Sequence, residues 1–194
     1  MRRVIYGMMV SLDGFVAGPN EEIDWILIDE ELHKYVNDQE SAVDTYLYGR
    51  RIYELMAGFW PTADADPAAP DYIVEFAQIW KKTPKVVFSK TLEHVGWNAR
   101  LVRDDVAGEI AKLKAQPGKD LEVAGAELAS TAMRLGLIDE YWLYVQPVVL
   151  GTGKRMFPEL GDKINLRLLE TRTFASGVVL LRYQRAEQGE GGTA

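Results

Sequence analysis

The chain has 194 residues, 47% hydrophobic and 26% charged, with 22 Lys and Arg against 29 Asp and Glu for a net charge of −7. That composition excludes a wholly disordered chain, and the length is enough to fold without metal or disulfide staples. The lack of cysteine removes disulfides, iron–sulfur clusters and thiol nucleophiles, and two separated histidines (His33, His94) are too few for a histidine metal site, so no metal is expected. The acidic balance argues against a nucleic-acid partner. No run approaches the ~20 apolar residues of a membrane span, and the N-terminus lacks the apolar core of a secretion signal. A cytoplasmic protein without a membrane partner is expected.

Arg3 to Ser11 is β-rich and ends at the turn signal Asp13-Gly14. Asp29 is placed to cap a helix carrying Leu32, Tyr35 and Val36 on one face, with His33 at its surface. Thr45 to Tyr48 forms a short strand that runs through Gly49 into a helical stretch over Ile52 to Met56. After a loop from Pro61 to Pro70, Asp71 caps a helix bearing Ile73, Phe76, Ile79 and Trp80, which stops before Pro84. Lys85 to Ser89 is a buried strand, and Val106, Ile110 and Leu113 mark a helix closed by Pro117-Gly118. Leu121 to Ala124 is a strand leading through Gly125 to a helix with Leu128, Ala132, Met133 and Leu135, ended by Gly136. Strands follow at 141–150, 166–174 and 178–183. Alternation giving way to strands means an α/β sheet, mostly parallel with antiparallel additions. One domain over residues 1–187 with a flexible tail at 188–194 is expected.

In such sheets ligands bind beyond the carboxyl ends of the strands, where helix N-termini offer free N–H groups. Three strand ends carry suitable residues: Gly49-Arg50-Arg51-Ile52, Ser89-Lys90-Thr91 and Gly125-Ala126-Glu127-Leu128. Together they can hold phosphate charge on an otherwise acidic chain, although an exposed Arg50-Arg51 pair is equally a solvated helix face. Gly151 to Arg155 has no phosphate-loop spacing and is read as a turn at a pocket mouth, where Lys154 or Arg155 could meet an anion.

These segments carry a family resemblance. Met9 to Ala17 with Asp24-Trp25, Tyr48 to Glu54, Lys85 to Lys90, Val123 to Leu128, Gly136 to Glu140 and Pro147 to Gly153 resemble, in order, the dihydrofolate reductase-like superfamily. The branch is that of the C-terminal reductase domain of bacterial riboflavin biosynthesis. The resemblance implies a three-layer α/β/α fold with a central mixed, mostly parallel sheet and an NADPH site. It places Met9, Val16 and Ala17 at the nicotinamide, and Trp25 either beside that ring or as a plug in its loop. Gly49 opens the helix whose Arg50, with Ser89 and Lys90, surrounds the 2′-phosphate. Arg51 and Ile52 lie along the pyrophosphate, which also receives the helix N-terminal amides of Gly125, Ala126, Glu127 and Leu128.

For the substrate, the resemblance nominates Asp29 as catalytic acid, with Glu30 and Asp24 as rivals and a helix cap as the alternative role for Asp29. Tyr144 is nominated as a substrate contact, or else a half-buried sheet tyrosine. The chain departs from the family pattern at Ala126 (for a glycine), Ile52 (for a threonine), Val123 (for a substrate glutamate) and Gln39 (for a phosphate-binding arginine). Riboflavin-pathway activity is therefore not expected. The implied function is hydride transfer from NADPH to a small heteroaromatic, pterin- or pyrimidine-like substrate, by a homodimer. The alternative is a dinucleotide- or ligand-binding protein on the same scaffold that has lost turnover.

Overall fold

A computed structural model of the chain describes residues 1–186; the expected flexible tail lies outside the described residues. The elements are β1 (Val4–Ser11), β2 (Phe15–Ala17), α1 (Glu30–Glu40), β3 (Val43–Gly49), α2 (Arg50–Phe59), α3 (Asp71–Lys82), β4 (Lys85–Phe88), β5 (Ala99–Val102), α4 (Val106–Ala115), β6 (Asp120–Ala124), α5 (Ala126–Arg134), β7 (Glu140–Gln146), β8 (Lys154–Arg155), β9 (Leu166–Thr173) and β10 (Val179–Arg185). Eight strands form one sheet in the order β5-β4-β3-β6-β1-β7-β10-β9, and β2 pairs with β8 apart from it. All pairings from β5 to β7 are parallel, and β10 is antiparallel to both β7 and β9. This is the expected three-layer α/β/α arrangement with antiparallel C-terminal strands. No helix among the described residues is long and apolar enough to cross a membrane.

Alternation along each strand divides the core between the two faces. Val4, Tyr6, Leu47, Leu121 and Val123 pack against Ile110, Leu113, Leu128 and Met133 of α4 and α5. On the opposite face, Ile5, Trp142, Tyr144 and Leu180 meet Leu32 and Tyr35 of α1, while Tyr46, Tyr48 and Val87 meet Phe76 and Trp80 of α3. The site forms on this second face.

Several local expectations change. The helix over 71–82 has Pro70, with extended ψ, as its cap residue, so Asp71 is already helical and contributes charge to the first turn. The strand expected over 141–150 ends at Gln146. His33 is buried at 8% exposure, because α3 packs over α1 and brings Tyr72 and Phe76 against its ring. Three short strands, β2, β5 and β8, were not visible in the sequence pattern. The outermost strand β9 exposes Leu166, Leu168 and Leu169.

Candidate active site

The carboxyl ends of β4, β3 and β6 lie side by side, so the three segments singled out in the sequence meet along one rim. Gly49 and Gly125 cap α2 and α5 without any side-chain hydrogen bond, leaving first-turn N–H groups open at both helix starts. Gly125 has φ +99°, and a Cβ there would meet Ile52 Cγ2 at 3.2 Å and Gly49 N at 3.8 Å. The two turns are thus in contact. No peptide among the described residues is cis, so the Gly125–Ala126 peptide is trans.

Charge gathers on the same rim. Lys154 on β8 bonds Glu127 at 3.2 Å, and Arg51 lies 3.5 Å from Glu127 while also pairing with Glu21. The Lys154 hydrogen bond and its charge, with Arg51 and Arg50 adding, hold the Glu127 carboxyl below its ordinary value. Arg50, Arg51 and Lys154 therefore share one neighbourhood. Ser89 Oγ, one residue beyond β4, accepts from the amides of Thr91 (3.2 Å) and Leu92 (3.0 Å), closing its turn. Lys90 turns instead to Asp104 at 3.3 Å, in a fully solvated pair outside that cluster. Arg155 stacks over Phe15.

Beneath the rim, on the α1–α3 face, a cavity of ≈ 290 Å³ opens. Met8, Met9, Val16, Ile52 and Tyr144 line it, which brings the nicotinamide, pyrophosphate and substrate candidates to one wall. Ile23, Ile26 and Ile28 of the preceding loop close one side, and Leu55, Met56 and Trp60 another. Ala17 is buried in β2, where its carbonyl abuts Gly153. Asp13 ties this loop to the end of β1. It accepts from Ser11 Oγ (2.7 Å) and from the amides of Leu150 (3.1 Å) and Gly151 (2.7 Å), which lower its pKa to about 2.

Other nominated residues lie elsewhere. Asp29 caps α1: one carboxylate oxygen accepts from Leu32 N at 2.8 Å and the other from Ser176 N at 2.9 Å. The Leu32 amide, before the Ser176 contacts, holds its pKa below the usual value. Both oxygens are occupied by backbone donors, and Asp29 is not among the cavity residues. Trp25 also stands outside the lining, its Nε1 donating to Glu22 O at 3.0 Å within its own loop. The ring of His33, by contrast, lines the cavity, where burial depresses its pKa and Nδ1 meets Asn37 Oδ1 at 3.1 Å.

The cavity also holds two acids that sequence reasoning missed, Glu40 at the end of α1 and Glu122 in β6. Tyr46 OH donates to Glu40 Oε2 at 2.7 Å. Burial raises both carboxyl pKa values, that of Glu122 most, because the charge of Glu40 adds to its burial. Gly7 leaves space there: a Cβ would come 3.5 Å from Glu122 Oε1. The signal was present in the pattern. Leu32, Val36 and Glu40 are spaced four apart on one helix stripe, and Glu122 alternates with the core residues Leu121 and Val123. Val123, compared above with the family's substrate glutamate, is fully buried on the opposite face.

The model of the RibD C-terminal domain matches residues 2–180. The uncharacterized protein YyaP of Bacillus subtilis (strain 168) is 39% identical over 183 residues, 94% of each chain. YwjB of the same organism is 32% identical over 187 residues, covering 95% of this chain and 99% of that one. Among solved structures, a candidate riboflavin biosynthesis protein from Shewanella sp. PV-4 superposes with TM-score 0.76 at 21% identity, covering 96% of this chain and all of the other. Dihydrofolate reductase from Enterococcus faecalis, complexed with NADP(H), superposes with TM-score 0.63 at 11% identity, covering 95% and 97%. At these identities the two structures share the fold. From the extent of the domain match and the two Bacillus relatives, the chain belongs to the RibD C-terminal domain family.

Proposed function

We propose that the protein is an NADPH-dependent reductase that transfers a hydride to a small heteroaromatic, pterin- or pyrimidine-like substrate. One observation carries this reading: two uncapped helix N-termini and the Arg50, Arg51 and Lys154 cluster sit on the rim of the cavity lined by Met9, Val16 and Ile52. Anionic phosphates are stabilised at such helix starts, and guanidinium groups recognise them with charge-assisted hydrogen bonds. The Enterococcus faecalis dihydrofolate reductase, of the same fold, was solved with NADP(H).

The residues present fit the dinucleotide. Amides at Gly125 to Leu128, with Arg51 and Ile52 alongside, would hold the pyrophosphate, and Arg50 with Ser89 would hold the 2′-phosphate. Lys90 would have to leave Asp104 to join them, which a solvated pair permits at little cost. Met9, Val16 and Ala17 would border the nicotinamide. The bound cofactor supplies the hydride, and the protein supplies position and a dry, apolar wall. Tyr144, in register with Met9 on the neighbouring strand, would touch the substrate from the same wall.

Titrating the full chain with NADPH and following cofactor fluorescence tests this. Saturable binding with a Kd below roughly a few hundred micromolar is expected; no binding in that range overturns the reading. A dinucleotide that binds but is never oxidised across a panel of pterins, pyrimidines and quinones would instead favour a binding protein that has lost turnover.

A further inference from the structure

We propose that Glu40 and Glu122 form a proton-sharing carboxyl pair that donates a proton to a ring nitrogen of the substrate, and that this substrate carries no phosphate. This deepens the reductase reading and rests on it for the hydride. The geometry comes first. The two acids arrive from different elements, the last turn of α1 and the middle of β6, into one cavity whose other walls are chiefly Met, Ile, Val and aromatic side chains. Tyr46, in register with Glu122 on the neighbouring strand, donates to Glu40 at 2.7 Å, so both carboxyls meet in this cavity, where one shared proton relieves their like-charge repulsion.

The remaining groups around the pair do not neutralise it. From β3, Tyr46 donates to Glu40, and Tyr48 stacks on Tyr46 with ring centroids 5.3 Å apart. From β7 comes Tyr144 and from α1 His33, which burial holds toward the neutral form. Lys85 of β4 lies 5.9 Å over the Tyr46 ring, but its ammonium is held by the carbonyls of Trp80 and Thr83. Arg182 of β10 reaches Gln39 at 3.5 Å and is already paired with Glu140 and Glu170. Among the described residues no Lys or Arg lines the cavity, so a phosphate brought there would face two acids with the cations of Arg50, Arg51 and Lys154 only at its rim.

The step balances simply. With bound NADPH supplying a hydride to the carbon of a C=N bond and leaving as NADP⁺, the pair would give its shared proton to the nitrogen, forming one C–H and one N–H bond. The pair is then doubly ionised, which like-charge repulsion opposes, and it recovers a proton from water.

Two measurements on the 194-residue chain, neither containing NADPH, test the pair. The first is carbon-13 NMR of protein labelled at glutamate Cδ, with E40Q and E122Q assigning the signals. The expected result is a linked titration that releases the shared proton well above the usual carboxylate range, with E40Q lowering the Glu122 midpoint by about one pH unit or more. Two independent midpoints at ordinary values overturn the proposal. The second uses isoquinoline, a planar base neutral in water at pH 7 whose absorption changes on protonation. Bound to the wild type it should show the protonated spectrum, bound to E122Q the neutral one, and 1-naphthyl phosphate should bind about tenfold or more weaker than isoquinoline. Isoquinoline that stays neutral in the wild type, fails to bind, or binds no better than the phosphate overturns the proposal. A failed NADPH titration would sink the reductase reading and leave both measurements on the pair intact.

Discussion

Gly125, at the turn after β6, packs against Ile52 in the first turn of α2: the glycine's φ of +99° turns its backbone so that a Cβ would stand 3.2 Å from Ile52 Cγ2. Gly125→Ala therefore combines an unfavourable backbone conformation with a crowded neighbour. A loss of roughly 1–3 kcal/mol is expected by urea denaturation, together with a tenfold or greater weakening of NADPH. Adding Ile52→Ala should relieve the crowding and leave the backbone cost; a G125A protein as stable as the wild type would contradict the contact.

The cations on the rim make opposite predictions for two neighbours. Arg50→Ala should weaken NADPH by tenfold or more and NADH much less, since the 2′-phosphate distinguishes them. Glu127→Gln removes the carboxylate that now occupies Arg51 and Lys154, and should tighten NADPH severalfold at low salt. Calorimetric titration of both variants with both dinucleotides checks the pair of outcomes; equal losses for the two cofactors in R50A would refute the 2′-phosphate assignment.

Stability should respond to pH through Glu122. Its folded pKa is raised, so the folded state holds a proton that the unfolded state has released. The contribution is fully present below the ordinary carboxylate range, near pH 4, and is lost as pH rises toward the folded value. E122Q should flatten this decline and be more stable than the wild type at neutral pH. Denaturation midpoints at pH 5, 7 and 8 decide the matter.

Lys85 gives the opposite sign. It is 1% exposed, and burial lowers its pKa to about 8 in the folded state. Between about pH 8 and pH 10.5 the unfolded chain binds the extra proton, so this group's contribution to stability rises with pH across that window. Lys85→Met should abolish the rise, a difference of ~1–3 kcal/mol at its upper end. The comparison must be variant against wild type, because the buried tyrosines Tyr46, Tyr48 and Tyr144, with raised pKa values, pull the other way at higher pH.

The alternation of elements was legible because each strand and helix announces its own period, and the helix over 30–40 even announced its cap at Asp29. Contacts made across the fold were not. His33 sits among polar neighbours in sequence and is buried only because α3 crosses α1, a fact no local pattern contains. Glu40 and Glu122 lie 82 positions apart (122 − 40), and only the fold brings them to one cavity. Strands of two to four residues, as in β2, β5 and β8, are too short to show a period. The rim is legible in one dimension, since Gly49, Arg50, Arg51 and Gly125 stand at strand ends. The resemblance nominates Asp29, whereas the carboxyls that line the cavity are Glu40 and Glu122.

The two borders of the sheet are unequal. β5 ends it with four residues, whereas β9 presents eight, with Leu166, Leu168 and Leu169 uncovered beside Arg167 and Arg172. A border strand keeps its outward amides and carbonyls without a partner strand, and the longer border keeps more of them. Its flank at β9, away from the rim of Arg50, Arg51 and Lys154, therefore carries the longer open edge of the sheet.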